Sequence, residues 1–333
     1  MQNLRIKPLL NKMNSSETIA VASRSFSRNE GLISALKQKY SNIILNQTGK
    51  TLKGQELVNF LRPADKAIIG IEEISNGVLQ QLPKLKVISK YGVGLNNLDV
   101  DAISSKGIMI GFIPGVNKQS VAELALTLSL MALRKIHRNH IEITEGTWSQ
   151  EKGSELFGKT IGLLGFGNIG QKFATLLQPF NCKIVFFDEK IFDNQELSIL
   201  CDDLGLNQNL IQQKELSVVL SMADILSIHL PLSEETENII NSKNLSHLKE
   251  SVSIINTARG NIINEEDLHI FLLDNLNAFA AFDVYAIEPA LDNPLFGLPN
   301  FFGTSHRSSL THEGIQAMGL AAIAGLDNNR IFS

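Results

Sequence analysis

The feature that most restricts the folds open to this chain of 333 residues is the stretch Thr160 to Lys190, TIGLLGFGNIGQKFATLLQPFNCKIVFFDEK. An apolar run (Ile161 to Leu164) leads into a turn with Gly165, Gly167 and Gly170, and a helical pattern follows (Gln171 to Leu177). A second apolar run (Lys183 to Phe187) then ends on Asp188. Strand, glycine turn, helix, strand and acid in that order form a βαβ unit suited to a dinucleotide. Gly165 is expected to make the tight turn, Gly167 to let the backbone approach a pyrophosphate, and Gly170 to let helix and strand pack closely. Unpaired N–H groups and the positive end of the helix dipole would face the phosphates. Asp188 follows by about 20 residues, the place of an acid that hydrogen-bonds the ribose hydroxyls of NAD and repels the 2′-phosphate of NADP.

The rest of the chain repeats the strand and helix alternation on both sides of this unit. Ile19 to Ala22, Ile43 to Leu45, Ala67 to Ile71, Val87 to Ser89 and Ile108 to Ile110 read as strands, separated by amphipathic Glu30 to Tyr40, Gly54 to Leu61 and Ile74 to Gln81. Continuously apolar strands with helices between them imply a parallel sheet covered on both faces. This first region has no glycine turn of the dinucleotide kind. A long helix is expected from Ser120 to about Arg138, with Ser120 and Glu123 as a capping box. Its two apolar faces (Leu124, Leu128, Met131 and Leu126, Leu130, Leu133) imply burial on two sides. Beyond Lys190, strands are expected at Asp224 to Leu230, Val252 to Thr257, Phe279 to Val284 and Phe301 to Thr304, which with the two of the glycine unit make six. His312 to Leu326 reads as a closing helix with Ala and Gly on one side.

Composition excludes several classes. A net charge of −4 without a basic run argues against nucleic acid and against an anionic membrane as partner. The only cysteines are Cys182 and Cys201, which excludes a disulfide framework or a Cys-based metal site and fits the reducing cytoplasm. The N-terminal MQNLRIKPLLNKMNSSE is too weakly apolar for a signal peptide, and Val121 to Leu133 is too short to span a bilayer.

In an open parallel sheet, ligands bind outside the carboxyl ends of the strands. Those ends carry Asp188, His229-Leu230-Pro231, Thr257-Ala258-Arg259-Gly260, Asp283 and His306. Each alone has a structural explanation: a solvated loop cation, a turn acid, a surface histidine. Five strand ends on one rim point instead to a site. Moving a hydride to or from a carbinol carbon requires a group that exchanges the hydroxyl proton, and histidine titrates nearest neutral pH. A carboxylate calls for an arginine fork, and an acid beside the histidine, for which Glu288 is the candidate, would orient and charge it.

The set Gly165/Gly167/Gly170, Asp188, Asn256-Thr257-Ala258-Arg259-Gly260, Asp283-Val284, Glu288-Pro289 and His306 resembles the D-isomer-specific 2-hydroxyacid dehydrogenase family from about Thr18 to Leu326. Leu85 to Gly94 and Ala317-Met318-Gly319 are most similar to its phosphoglycerate dehydrogenase branch. The resemblance implies an α/β protein of two doubly wound parallel-sheet domains. A Rossmann NAD-binding domain (116–305) is inserted in a flavodoxin-like substrate domain (1–115 and 306–333). It implies NAD as cofactor, a 2-hydroxy or 2-keto acid as substrate, domain closure that excludes water, and a homodimer built largely on the cofactor domains, which would account for the two-faced helix. It makes Arg259 the carboxylate clamp, His306 the acid/base and Glu288 its partner, with Lys90 and the N–H groups of Val93 and Gly94 as substrate ligands. To the cofactor it assigns Asn168 and Ile169 (pyrophosphate), Asp188 (ribose), Asp283 (carboxamide), and His229, Pro231, Thr257, Ala258 and Ser308 alongside the three glycines.

The chain departs from the family pattern at Ser305-His306-Arg307-Ser308-Ser309, where Pro usually precedes the histidine and a Gly pair follows it. It departs again at Gly70-Ile71-Glu72-Glu73, where phosphoglycerate enzymes often carry an Arg-Ser pair, and at Asn96, where Asp is commoner. Glu72 and Glu73 have the wrong sign for a phosphate, and Lys90 is the nearest cation in sequence. A reductase of another small or biosynthetic 2-keto acid, of the hydroxypyruvate or glyoxylate type, and a non-catalytic NAD(H)-sensing protein stand as alternatives. No regulatory domain is expected after Ser333.

Overall fold

A computed structural model of the chain describes residues 16–331, so most of the N-terminal segment read for a leader lies outside the described residues. Backbone contacts divide the chain after Asn117 and again after Thr311 into two compact units.

The first unit alternates β1 (Thr18–Val21), α1 (Glu30–Lys37), β2 (Asn42–Leu45), α2 (Gly54–Leu61), β3 (Lys66–Ile69), α3 (Asn76–Leu79), β4 (Val87–Lys90), α4 (Val100–Ser105) and β5 (Met109–Gly111). The strands form one parallel sheet in the order β2-β1-β3-β4-β5, the doubly wound order with its reversal between β1 and β3. Alternate residues feed opposite faces: Ala20 and Ala22 enter one apolar cluster, Ile19 and Val21 the other. Both faces must be covered, which explains why these strands read as continuous apolar runs.

The second unit holds α5 (Lys118–Arg134), α6 (Ile136–Thr144), β6 (Thr160–Leu164), α7 (Asn168–Leu177), β7 (Lys183–Phe187), α8 (Asn194–Leu204), β8 (Ile211–Gln213), α9 (Leu216–Met222), β9 (Ile225–Ile228), α10 (Ser242–Leu245), β10 (Ser253–Asn256), α11 (Glu265–Asp274), β11 (Phe279–Phe282) and β12 (Phe301–Gly303). Its parallel sheet runs β12-β11-β10-β9-β6-β7-β8, a Rossmann order with the reversal between β6 and β9. Seven strands are present where six were expected. The extra one, β8, is a three-residue edge strand with two glutamines, too short and too polar to stand out in a sequence. Leu164 and Ile254 belong to the cluster on one face, and Ile161, Leu163 and Ile255 to that on the other. Each such side chain contributes about 1.5–3 kcal/mol on burial. Helix α12 (His312–Gly325) returns to the first unit, where its small face lets it approach closely. A side chain at Gly319 would strike Leu32, and one at Gly325 would strike the hydroxyl of Ser89.

Two local expectations change. Helix α5 begins at Lys118, so Ser120 sits inside its first turn rather than capping it. The Ser120 hydroxyl meets that of Thr311 at 2.8 Å, and Glu123 accepts from Gln119. A capping box is present at Asp193 and Glu196, at the start of α8. The expected helix to Arg138 is also broken, because Lys135 takes a left-handed conformation (φ 52°) and His137 turns inward against Phe279 at 4.5 Å. On α5 the fully buried positions are mostly small, Ala122, Ala125, Ser129 and Ala132 among them, while Leu124, Leu126, Leu130, Met131 and Leu133 are only partly covered. Among the described residues no helix is long and apolar enough to cross a membrane.

Candidate active site

The glycine turn sits at the carboxyl end of β6. Gly165 has φ 95°, a left-handed value that disfavours a side chain, and a Cβ there would lie 2.8 Å from the backbone of His229. The turn is therefore pressed against the end of β9, at the reversal of strand order. A Cβ at Gly170 would run into the carbonyl oxygen of Gly165, so only glycine lets the start of α7 come this close. Gly167 is different. It is exposed, and a Cβ there would meet nothing within 4 Å. The chain has left room in front of the N-terminus of α7, where Asn168 is exposed and Ile169 half-buried. Asp188, at the end of β7, accepts from the N–H of Phe166 at 2.6 Å and from that of Lys190 at 3.0 Å, so it is held beside the turn.

His229 and Thr257 end β9 and β10. The His229 ring is partly buried, contacts the Ser227 hydroxyl at 3.0 Å through Nε2, and is kept neutral by desolvation, which pushes its pKa down to about 3. Its Nδ1 and the Thr257 hydroxyl are buried without a hydrogen-bond partner among the described residues. Pro231 is exposed, with its carbonyl accepting from Thr236. The open space at Gly167, the free helix start and the unpartnered Thr257 hydroxyl are what a bound dinucleotide would use, so the residues present fit NAD.

The loop after β10 is shaped by a residue without an assigned role in the sequence reading. Asn256, 1 % exposed, accepts from the N–H of Ala258 at 3.1 Å and donates to the carbonyl of Arg259 at 2.9 Å. It folds Thr257 to Arg259 into a fixed turn. A polar residue ending an otherwise apolar strand was the available signal. Gly260 follows because a side chain there would collide with the carbonyl of Tyr285. The Arg259 guanidinium donates to the carbonyl of Ala258 at 2.7 Å. Burial lowers its pKa, and the carboxylate of Glu288 acts in the opposite sense.

Asp283, fully buried after β11, organises the loop beyond β12. Its carboxylate accepts from the Thr304 hydroxyl at 2.5 Å and from the N–H groups of Arg307 and Ser308, each at 2.8 Å. Three donors from this one loop, 304–308, thus occupy the acid expected at the carboxamide, and they tie residues 306–308 to the cofactor unit. Within that loop His306 has φ 50°, and its Nδ1 lies 2.7 Å from Glu288 Oε2. Glu288 Oε1 accepts from the N–H of Tyr285 at 3.1 Å. The bond from Glu288 raises the pKa of His306, outweighing partial burial and the charge of Arg259. Burial pushes Glu288 up, but its bond to His306, the His306 charge, the Tyr285 N–H and Arg259 bring it net below the usual value.

In the first unit, Val93 and Gly94 lie half-exposed on the loop after β4. Lys90 is 6 % exposed, and its ammonium donates to the carbonyl of Gly70 and, at 2.5 Å, to Asn97 Oδ1. Glu72, 1 % exposed, is also turned inward and accepts from the N–H of Gly70 at 2.7 Å. Neither charge faces solvent, whereas Glu73 is exposed.

The family model described as "D-isomer specific 2-hydroxyacid dehydrogenase, NAD binding domain" matches residues 126–308. The chain is 33% identical over 285 residues to the hydroxypyruvate reductase of Thermotoga maritima, covering 84% of this chain and 89% of that protein. It is also 33% identical over 284 residues to the D-3-phosphoglycerate dehydrogenase of Methanocaldococcus jannaschii, covering 83% of this chain and 52% of that protein, about half its length. Its fold matches cofactor(NAD+)-bound 3-phosphoglycerate dehydrogenase of Entamoeba histolytica with a TM-score of 0.75 at 23% identity, over 93% of each chain. The chain belongs to the D-isomer specific 2-hydroxyacid dehydrogenases, a family of NAD-dependent oxidoreductases.

Proposed function

We propose that this enzyme interconverts a 2-keto acid and its D-2-hydroxy acid with His306 as the acid/base, and that its substrate is of the D-3-phosphoglycerate dehydrogenase type. The observation that carries the catalytic assignment is the 2.7 Å contact of His306 Nδ1 with Glu288, on a loop held by the buried Asp283. NAD, when bound, supplies or accepts the hydride. With Nδ1 engaged by Glu288, Nε2 is the atom that gives a proton to the carbonyl oxygen in reduction and takes one from the hydroxyl in oxidation. The raised pKa keeps the imidazolium available near neutral pH. Arg259 presents a half-buried guanidinium fork to the substrate carboxylate. The N–H groups at the start of α7 hold the pyrophosphate and Asp188 the ribose, with His229, Pro231, Thr257 and Ala258 lining the remainder. Asp283 acts chiefly by placing His306 and Ser308, more than as a carboxamide ligand.

A second substrate reading, hydroxypyruvate or glyoxylate, is favoured by one observation: Lys90, the expected phosphate cation, is engaged inside the first unit. NADH oxidation followed by absorbance with 3-phosphohydroxypyruvate, hydroxypyruvate, glyoxylate and 2-oxoglutarate separates the readings. No turnover of any of the four would sink the catalytic assignment. We further infer a homodimer, because the partly covered leucines of α5 are followed by Ile136, Ile141, Ile143 and Trp148, all exposed. A mass of 36.6 kDa by light scattering at micromolar concentration would disprove it.

A further inference from the structure

In a doubly wound sheet the ligand crevice lies at the reversal of strand order, outside the carboxyl ends of the strands. In the first unit that reversal is between β1 and β3. The loops around it are fastened to one another. A side chain added at Gly70, after β3, would lie 3.0 Å from the Ser23 hydroxyl, after β1, so the two backbones adjoin. Ser23 and Ser25 hydroxyls are 3.3 Å apart, Ser25 hydrogen-bonds Tyr91 after β4, and Phe26 meets the Tyr91 ring edge-on at 5.5 Å. Lys90 and Asn97 tie the β4 loop to Gly70 and Glu72. The rim is thus a set of three loops with fixed backbones, and it carries the N–H groups of Val93 and Gly94.

The basic residues on these loops have separate fates. Lys90 is buried in the network. Arg28 lies over Gly49, in the loop after β2, on the side of β1 away from the reversal. Arg24 lies between Ser23 and Ser25, is exposed, and has no ion pair or hydrogen bond among the described residues. Beside Gly70, Ile71 is 67% exposed and offers an apolar contact at the same rim. The inward turn of Glu72 removes one of the two acids that the sequence places there.

We propose that Arg24 is the specificity-determining residue of the first unit. It receives a distal anionic group, a phosphate ester or a second carboxylate, on a 2-keto acid whose own carboxylate is held at Val93 and Gly94 and whose carbon chain passes Ile71. This rests on the catalytic reading above and adds the substrate class. Arginine suits the task because its planar fork is satisfied by two oxygens of either anion. Glu73 remains exposed on the same loop, so selectivity comes from the paired hydrogen bonds of the fork rather than from net charge.

The test is the ratio of kcat/KM for a substrate with a distal anion to that for glyoxylate, which has none, measured by NADH oxidation with the full chain. 3-Phosphohydroxypyruvate and 2-oxoglutarate are the two arms, and the preferred arm identifies the anion. The wild type is expected to favour one of them by more than about tenfold. Arg24→Ala should lower that ratio by about 10–100-fold, the effect of losing a hydrogen bond to a charged group. Arg24→Lys, which keeps the charge without the fork, should recover part of it. Arg24 is exposed, so both variants retain the packing of the unit. Turnover of glyoxylate and hydroxypyruvate with no preference for either distal anion overturns the Arg24 assignment and the phosphoglycerate-type substrate, and leaves the catalytic role of His306 standing. A preference that Arg24→Ala leaves intact overturns the Arg24 assignment alone. No turnover of any substrate overturns the catalytic reading and this proposal together.

Discussion

Gly167 and Gly170 stand three residues apart in one turn, and adding the same methyl group at each should produce opposite defects. At Gly167 the backbone is extended (φ −80°, ψ −158°), which alanine adopts without strain, and the methyl would meet nothing within 4 Å. Gly167→Ala should therefore fold with a stability within about 0.5 kcal/mol of the wild type. The methyl would occupy the space in front of α7, and NADH affinity should fall about tenfold or more, the equivalent of at least ~1.4 kcal/mol. At Gly170 the methyl runs into a backbone oxygen that no rotamer change can move aside. Alanine would gain about 1 kcal/mol in helix propensity, but the forced contact costs about 1–3 kcal/mol. Gly170→Ala should thus lose up to about 2 kcal/mol, several degrees of Tm for a unit of this size. Thermal melts without cofactor and fluorescence titration with NADH measure the two effects. A Gly170→Ala protein more stable than the wild type, or a Gly167→Ala protein with unchanged NADH affinity, would refute the reasoning.

Two further outcomes follow from the site. His306 has its pKa raised by Glu288, so the rate of keto-acid reduction should hold above pH 6.5 and fall only as pH rises through the folded value. Any stability this pair adds is likewise present below pH 6.5 and lost over that same rise. Glu288→Gln should lower kcat/KM for reduction by about 10–100-fold and move the fall toward pH 6.5; a pH profile that does not move would exclude Glu288 as its partner. Asp188→Ala should reduce the preference for NADH over NADPH by about tenfold or more, through loss of an acceptor for the ribose and of repulsion toward the 2′-phosphate. An unchanged ratio of the two kcat/KM values would remove Asp188 from the ribose.

Much of this protein could be read from the chain because its main signals are local. Each strand of the first sheet is an apolar run, and the glycine unit contains its own turn, helix and acid, so spacing alone places them. The strand-end residues were also visible, since the parallel order forces the carboxyl ends onto one rim. What the sequence withheld depends on partners far along the chain. Nothing near Ser120 indicates that its hydroxyl pairs with Thr311, and a capping box is the natural local reading. The inward turn of Lys90 and Glu72 depends on Asn97 and Gly70, and sequence cannot distinguish a buried charge held by carbonyls from an exposed one. Asp283 could be seen as a strand-end acid, but its bonds to Arg307 and Ser308 cross from one strand end to the next. Strand β8 was hidden for another reason: an edge strand of three residues need bury little, so its sequence carries almost no pattern.

The bond between Ser120 and Thr311 also bears on how the chain assembles. These residues are 191 positions apart, yet they join at 2.8 Å near the two ends of the second unit. The first unit is interrupted, because α12 must return to α1, β4 and β5 after the whole second unit has been made. For a disordered insertion of that length, bringing the ends together would cost about 3 kcal/mol more than for a loop of a few residues. Once the insertion has folded, its ends already meet, and the first unit closes as though joined by a short link. Folding of the continuous unit therefore lowers the closure cost of the discontinuous one. A lesion that loosens the junction of Ser120 and Thr311 would then slow maturation of residues more than a hundred positions away in sequence.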